Sequence, residues 1–346
     1  MSQNEITIRK PFDPHAHLRS GQMLRKVLSY TSCIFPRAVV MGNLENDPVD
    51  NAKRLVAYRD EILKADPGFE PVMSVMLTRN TTVESLDACW KAGAKVLKFI
   101  PGGVSTGGAE GLDLPDLKFQ THLLKKARNL GMIFSCHFEL ASDENGAAIP
   151  KGRQEYWAIG YLKEIIRAVP GLKIVVEHVS SEEMIEAVLE APLNVAATLT
   201  AHHAILTVDD VLDSRENIIN GLNYCKPVAK DIRDRHAVRL AMTGGNPKFF
   251  FGSDSAPHPL DRKLGSEPAA GIFTAPVALP LLCKIFIEEN GIGWLENFVS
   301  VYGPQFYGLP VSEGTLTLGE EPWEVPFDLD GVPIFMGGKK LQWKVM

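Results

Sequence analysis

The most restrictive feature of this chain is an alternation. A short apolar stretch is followed by an amphipathic helical pattern, and the pair recurs eight times. The apolar stretches are residues 7–11 running into 13–18, then 38–44, 71–77, 95–100, 132–139, 173–179, 194–200 and 248–254. Ile174-Val175-Val176 and Phe249-Phe250-Phe251 are apolar without a break, as expected of strands covered on both faces in a parallel sheet. Between the strands, residues 49–65 place Ala52, Leu55, Val56, Arg59, Ile62 and Leu63 on one helical stripe. Thr81 with Glu84, and Ser180 with Glu183, read as capping boxes, and Gly131 as a helix C-cap. Eight β–α units predict a single (β/α)8 TIM barrel over residues 1–346. A short C-terminal β extension is expected from 302 onward, with strands at 323–325, 332–336 and 341–345.

Composition narrows the function classes. With 346 residues, 45% of them hydrophobic, the chain is long enough to close such a barrel around a core. A net charge of −6 gives no basic footprint for nucleic acid. No apolar run reaches the ~18 residues of a membrane span, and residues 1–10 lack the apolar core of a signal peptide. Cys33, Cys89, Cys136, Cys225 and Cys283 are dispersed and odd in number, which points to reduced thiols and a cytoplasmic enzyme.

In a barrel of this kind the chemistry sits where strands end. Strand 1 ends in His15-Ala16-His17-Leu18-Arg19, and residues two apart on a strand share a face, so both imidazoles can reach one ion. Strand 4 carries Lys98 within an apolar run; it reads either as a lysine snorkelling at a strand end or as an amine kept neutral by burial. A neutral amine can combine with CO2 to form a metal-bridging carbamate. Strands 5 and 6 end at His137 and His178, each alone read as readily as a core histidine. Strand 8 ends at Asp254, which alone reads as a helix cap. Taken together, four imidazoles and two oxygen donors at the ends of strands 1, 4, 5, 6 and 8 fit a pair of zinc ions.

The order His-x-His, Lys, His, His, Asp resembles the amidohydrolase superfamily, and the surrounding strings resemble its dihydroorotase family in the shorter bacterial form. Asp13-Pro14-His15-Ala16-His17-Leu18-Arg19, Met41-Gly42-Asn43-Leu44, Leu97-Lys98-Phe99-Ile100-Pro101, Val176-Glu177-His178, Ser253-Asp254-Ser255-Ala256-Pro257-His258 and Gly303-Pro304-Gln305-Phe306-Tyr307-Gly308-Leu309-Pro310 carry that resemblance. It implies a zinc-dependent enzyme, a homodimer, that reversibly cyclises N-carbamoyl-L-aspartate to L-dihydroorotate in pyrimidine biosynthesis. His15 and His17 would bind one zinc, His137 and His178 the other. Lys98, as N6-carboxylysine, would bridge them, and Asp254 would bind the first zinc and act as general base, then acid. Arg19, Asn43 and His258 would hold the substrate carboxylate, with backbone near Leu222 and Ala270 on the ring amide. Ser105 and Thr106 would belong to a lid over the substrate.

The chain departs from that pattern at Gly42, where proline is usual, at Ser105, and at Thr200-Ala201-His202-His203, where Pro-Gln-His is expected. His202 and His203 are read as structural, and His122 and His236 as surface residues. Two other readings compete: a related cyclic amidase of the hydantoinase or dihydropyrimidinase kind, and an inactive barrel serving as a partner-binding scaffold.

Overall fold

The computed structural model describes residues 4–45, 47–104 and 112–346. Eight parallel strands follow one another around a barrel: β1 (Phe12–Ala16), β2 (Arg37–Val40), β3 (Glu70–Met76), β4 (Val96–Phe99), β5 (Ile133–Cys136), β6 (Ile174–Val176), β7 (Val195–Leu199) and β8 (Phe249–Phe251). Closure from β8 to β1 is made by a parallel bridge between Ala16 and Ser255 and by the Asp13 carboxylate, which accepts from Ser253 N at 2.9 Å. The helices α1 (Gly21–Ser32), α2 (Ala52–Ala65), α3 (Val83–Lys91), α4 (Thr121–Asn129), α5 (Gln154–Ala168), α6 (Glu182–Glu190) and α7 (Ile232–Thr243) follow β1 to β7 in turn. After β8 come a short helix α8 (Leu260–Leu264) and the longer α9 (Ala278–Glu288). The expected (β/α)8 architecture is present.

Strand parity explains the unbroken apolar runs. One set of side chains (Ala38, Val40, Leu97, Phe99, Phe134, Phe249, Phe251) packs outward under the helices. The alternate set points into the barrel, where Phe12, Val39, Val96, Ile133, Val175 and Phe250 fill the lower half. That half is closed from below by α10 (Tyr302–Tyr307) and the residues after it: Phe12 meets Tyr307 edge-on at 5.6 Å and Phe250 lies 5.7 Å from Phe306. A Cβ on Gly303 would stand 3.2 Å from the Phe12 ring and 3.3 Å from Pro14, so a larger residue there would push the helix or the ring aside by a few tenths of an ångström. Gly308 ends the helix in the left-handed conformation, φ 68°. The Gly-Pro-Gln-Phe-Tyr-Gly-Leu-Pro string is thus the floor of the barrel.

Some local expectations shift. Residues 5–9 do not run into the first barrel strand; Glu5–Arg9 pairs antiparallel with Thr315–Gly319, which also pairs with Lys344–Val345. Residues 302–307 are helical, and the β extension begins at Thr315 with small hairpins at Trp323–Glu324 with Lys340–Leu341 and Asp328–Leu329 with Val332–Pro333. Both capping residues fall one position later, at Thr82 (with Ser85) and Ser181. The reason is competition: Thr81 Oγ1 already accepts from Thr78 N, and Ser180 Oγ donates to Glu155. No helix among the described residues is long and apolar enough to cross a membrane.

Candidate active site

The upper half of the barrel reverses the chemistry of the lower. Continuing up the inward face, β4 presents Lys98, and the strand ends of β1, β5, β6 and β8 present His15, His17, His137, His178 and Asp254, all lining one cleft. His15 Nε2, His17 Nε2 and Asp254 Oδ1 converge, with separations of 3.2, 3.1 and 3.4 Å. His137 Nδ1 and His178 Nε2 face each other at 3.1 Å. Donors held about 2.0–2.1 Å from a tetrahedral ion lie roughly 3.3 Å apart, so both groups have the spacing of a shared cation.

The surrounding carboxylates fix the tautomers. His15 Nδ1 donates to Glu177 at 2.7 Å and His137 Nε2 donates to Glu139 at 2.8 Å. In these two rings the proton sits on the outer nitrogen, so His15 Nε2 and His137 Nδ1 present bare lone pairs to the convergence points. The facing nitrogens, 3.2 and 3.1 Å away on His17 and His178, complete each pair either by donating an N–H to that lone pair or by sharing a cation with it. Burial favours the neutral form of His15, His17 and His178: it lowers the pKa of His15 and takes His17 and His178 well below the usual value. Glu177 is anchored by Ser135 Oγ at 2.5 Å and Thr198 Oγ1 at 2.6 Å. Burial pushes its carboxyl up, but His15 and Lys98 outweigh burial and hold it at about 2.

Lys98 is buried, and its Nζ has no hydrogen-bond partner among the described residues. Burial lowers its pKa, opposed by Glu177 and Asp254. An amine with no partner, part of whose population is neutral, is what carbamate formation requires. Asp254 is shifted the other way: burial raises its pKa, opposed by His15 and Lys98. That prepares a carboxylate to take a proton and return it. Arg19, His178 and Asp254 all have left-handed backbone, with φ of 59°, 42° and 42°. Such strain in non-glycine residues persists where a site over-determines the backbone.

Beside the imidazoles lies a corner built around the buried Arg19 guanidinium. Arg19 Nε donates to Pro257 O at 3.0 Å, and Arg19 Nη2 lies 2.9 Å from His258 Nε2. Burial and the Arg19 charge hold His258 neutral, its pKa down at about 2. His258 Nε2 is also 3.0 Å from Ala270 O, and it cannot both accept from Arg19 and donate to Ala270. Asn43 is buried in the same cleft and hydrogen-bonds His17.

The structure brings together His15, His17, Arg19, Asn43, Lys98, His137, His178, Asp254 and Ala270, with His258 bridging to Arg19. Leu222 is not among them. It borders a neighbouring cavity, its N–H donating to Asn220 Oδ1, and the residue of that loop in the cleft wall is Lys226. Ser105 and Thr106 lie outside the described residues. His203 is engaged by Thr200 Oγ1 at 2.9 Å and Pro227 O at 2.8 Å, and with His202 and Cys225 it forms a separate buried cluster of possible ligand atoms. His122 and His236 are exposed. Sequence reasoning assigned no role to Glu139 or Glu177. β5 ends at Cys136, so no strand periodicity ties Glu139 to the face of His137.

Comparisons with known proteins point to one family. No protein-family model matches the chain. It is similar to a dihydroorotase from Shewanella frigidimarina, 37% identical over 352 aligned residues that cover 99% of both chains. Among solved structures it is similar to a Saccharomyces cerevisiae dihydroorotase in complex with 5-fluoroorotic acid. That match has a TM-score of 0.91 and 31% identity, covering 99% of this chain and 98% of the other. A Campylobacter jejuni dihydroorotase matches with a TM-score of 0.84 and 32% identity, covering 99% and 97%. A D-hydantoinase at 13% identity shares the fold, with a TM-score of 0.75.

Proposed function

The chain belongs to the dihydroorotase family of the amidohydrolase superfamily, a family of cyclic-amide hydrolases, and from that premise we propose how its own residues act. The reaction is the interconversion of L-dihydroorotate and N-carbamoyl-L-aspartate in pyrimidine biosynthesis. One observation carries the reading: two groups of converging imidazole nitrogens share a cleft with a buried, unpartnered Lys98 amine. His15, His17 and Asp254 would hold one zinc ion, His137 and His178 the second, and carbamylated Lys98 would bridge them. Zinc, when bound, supplies an electrophile for the ring carbonyl and acidifies the attacking water.

The protein's part is positioning and proton transfer. Arg19, Asn43 and His258 take the substrate carboxylate; the guanidinium fork matches it in shape and charge. The yeast relative's ligand, 5-fluoroorotic acid, is likewise a ring carboxylic acid. Asp254 accepts the proton of the attacking water as the new C–O bond forms, then delivers it to the ring nitrogen as the C–N bond breaks. Closure runs the same path backwards from the protonated carboxyl group, with Asp254 carrying the proton of the carbamoyl nitrogen to the departing hydroxyl, which leaves as water. Glu177 and Glu139 hold the ligating rings in their tautomers. A cytoplasmic homodimer completes the proposal.

The test is turnover of L-dihydroorotate by zinc-loaded protein in CO2-containing buffer, beside hydantoin and dihydrouracil. Preferential opening of dihydroorotate is expected. Arg19→Met should cut kcat/KM for dihydroorotate roughly 10- to 100-fold, the weight of a charge-assisted pair, and leave uncharged rings unaffected. No opening of dihydroorotate by protein with full zinc content would overturn the reading.

A further inference from the structure

Lys263 poses a question the reaction does not answer. It lies on α8, five residues beyond His258, and is buried with no carboxylate partner among the described residues. An ammonium taken from water without a counter-charge is costly, and burial drives its pKa down to about 7. Methionine would fill the same space without that cost.

What the ammonium does have is three carbonyls. Its Nζ donates to Tyr224 O at 2.9 Å, Ala269 O at 2.9 Å and Gly271 O at 2.5 Å, which uses all three of its N–H donors. The carbonyls belong to two loops. Tyr224 leads into the Lys226–Pro227 segment that walls the cleft after β7. Ala269 and Gly271 flank Ala270, another wall residue, whose carbonyl meets His258. The loops touch each other through Gly271 N and Tyr224 O at 3.0 Å. The first loop also lies directly on α8: a Cβ on Gly221 would fall 2.0 Å from Lys263 O.

We infer that Lys263 is a positioning residue that clamps these two loops into one wall opposite the imidazoles, holding the backbone that meets the substrate ring. This rests on the dihydroorotase reading above. Ala269 and Gly271 have no other hydrogen-bond donor for their carbonyls among the described residues, so loss of the ammonium strands two buried acceptors and lets the wall shift.

The experiment compares zinc-loaded enzyme with its Lys263→Met variant in dihydroorotate kinetics, zinc content and thermal melting. A clamp predicts a KM raised at least tenfold with two zinc ions retained. A role in stability alone lowers Tm and the active fraction and leaves KM unchanged, and that result overturns the inference. Hydrogen exchange on the unmodified protein decides the matter if the variant fails to fold. Segments 222–228 and 265–273 must open as one unit, and independent opening refutes the clamp. Absence of turnover in the unmodified enzyme sinks the dihydroorotase reading instead, and the exchange measurement still judges the clamp.

Discussion

At the bottom of the barrel Phe12, Val96, Ile133 and Phe250 meet the 303–310 segment; a few residues further along the same strands, His15, Lys98, His137 and Asp254 meet one another. The lower half is apolar, filled, and sealed by aromatic edges. The upper half has converging imidazoles, a buried amine without a partner among the described residues and left-handed backbone at three residues. The same strands therefore contribute stability at one end and stored strain at the other, and the two are separable because a barrel strand needs only one or two inward side chains for each.

The sharpest way to break this comparison is Lys98→Met. It removes the amine and keeps most of the volume. Turnover should fall at least about 1,000-fold, since the bridging group and one zinc are lost together. The melting temperature of the metal-free protein should hold or rise, because an unpartnered buried amine is removed. Zinc analysis, dihydroorotate kinetics and calorimetry read all three. Full activity at unchanged zinc content would sink the carbamate.

The opposite substitution is Phe250→Ala in the floor. It should cost about 3–5 kcal/mol of stability, the range for truncating a buried phenylalanine. The zinc content, kcat and KM of the molecules that remain folded at 25 °C should match the unmodified enzyme. A large change in KM would mean that floor and site are mechanically coupled, and the separation argued above would fail.

The contrast also explains what the sequence discloses. The eight strands were legible because outward and inward residues are both apolar, and the six residues that gather in the cleft because imidazoles and a lysine are conspicuous where strands end. Glu177 and Glu139 were passed over because a carboxylate beside a histidine carries no periodic signal; only the fold turns them toward His15 and His137. The loop between β7 and α7 has no hydrophobic repeat to fix its register. There the analogy pointed to Leu222, while Lys226, four residues on, walls the cleft. The 303–310 string matched the family closely yet proves to be floor, because packing a helix under a barrel constrains sequence as tightly as chemistry does.

Gly42 lies on the border between the two regions: Met41 packs into the floor and Asn43 faces the cleft. The family pattern usually has proline here, so Gly42→Pro looks conservative. The local geometry argues otherwise. Gly42 N donates to Ser74 Oγ at 2.9 Å, and Ser74 Oγ donates onward to Val40 O at 2.7 Å. Proline has no N–H to give, and a Cβ at this position would stand 3.0 Å from Val49 Cβ and 3.2 Å from Ser74 O. The buried hydroxyl would lose its donor, costing about 1–3 kcal/mol. Because Asn43 is the next residue, KM for dihydroorotate should rise by a factor smaller than for Arg19→Met, with kcat little changed. Calorimetry and steady-state kinetics on the one variant measure both ends of the border. A stability loss without a KM change would place Gly42 with the floor. A KM change without a stability loss would place it with the site and show that Ser74 finds another donor.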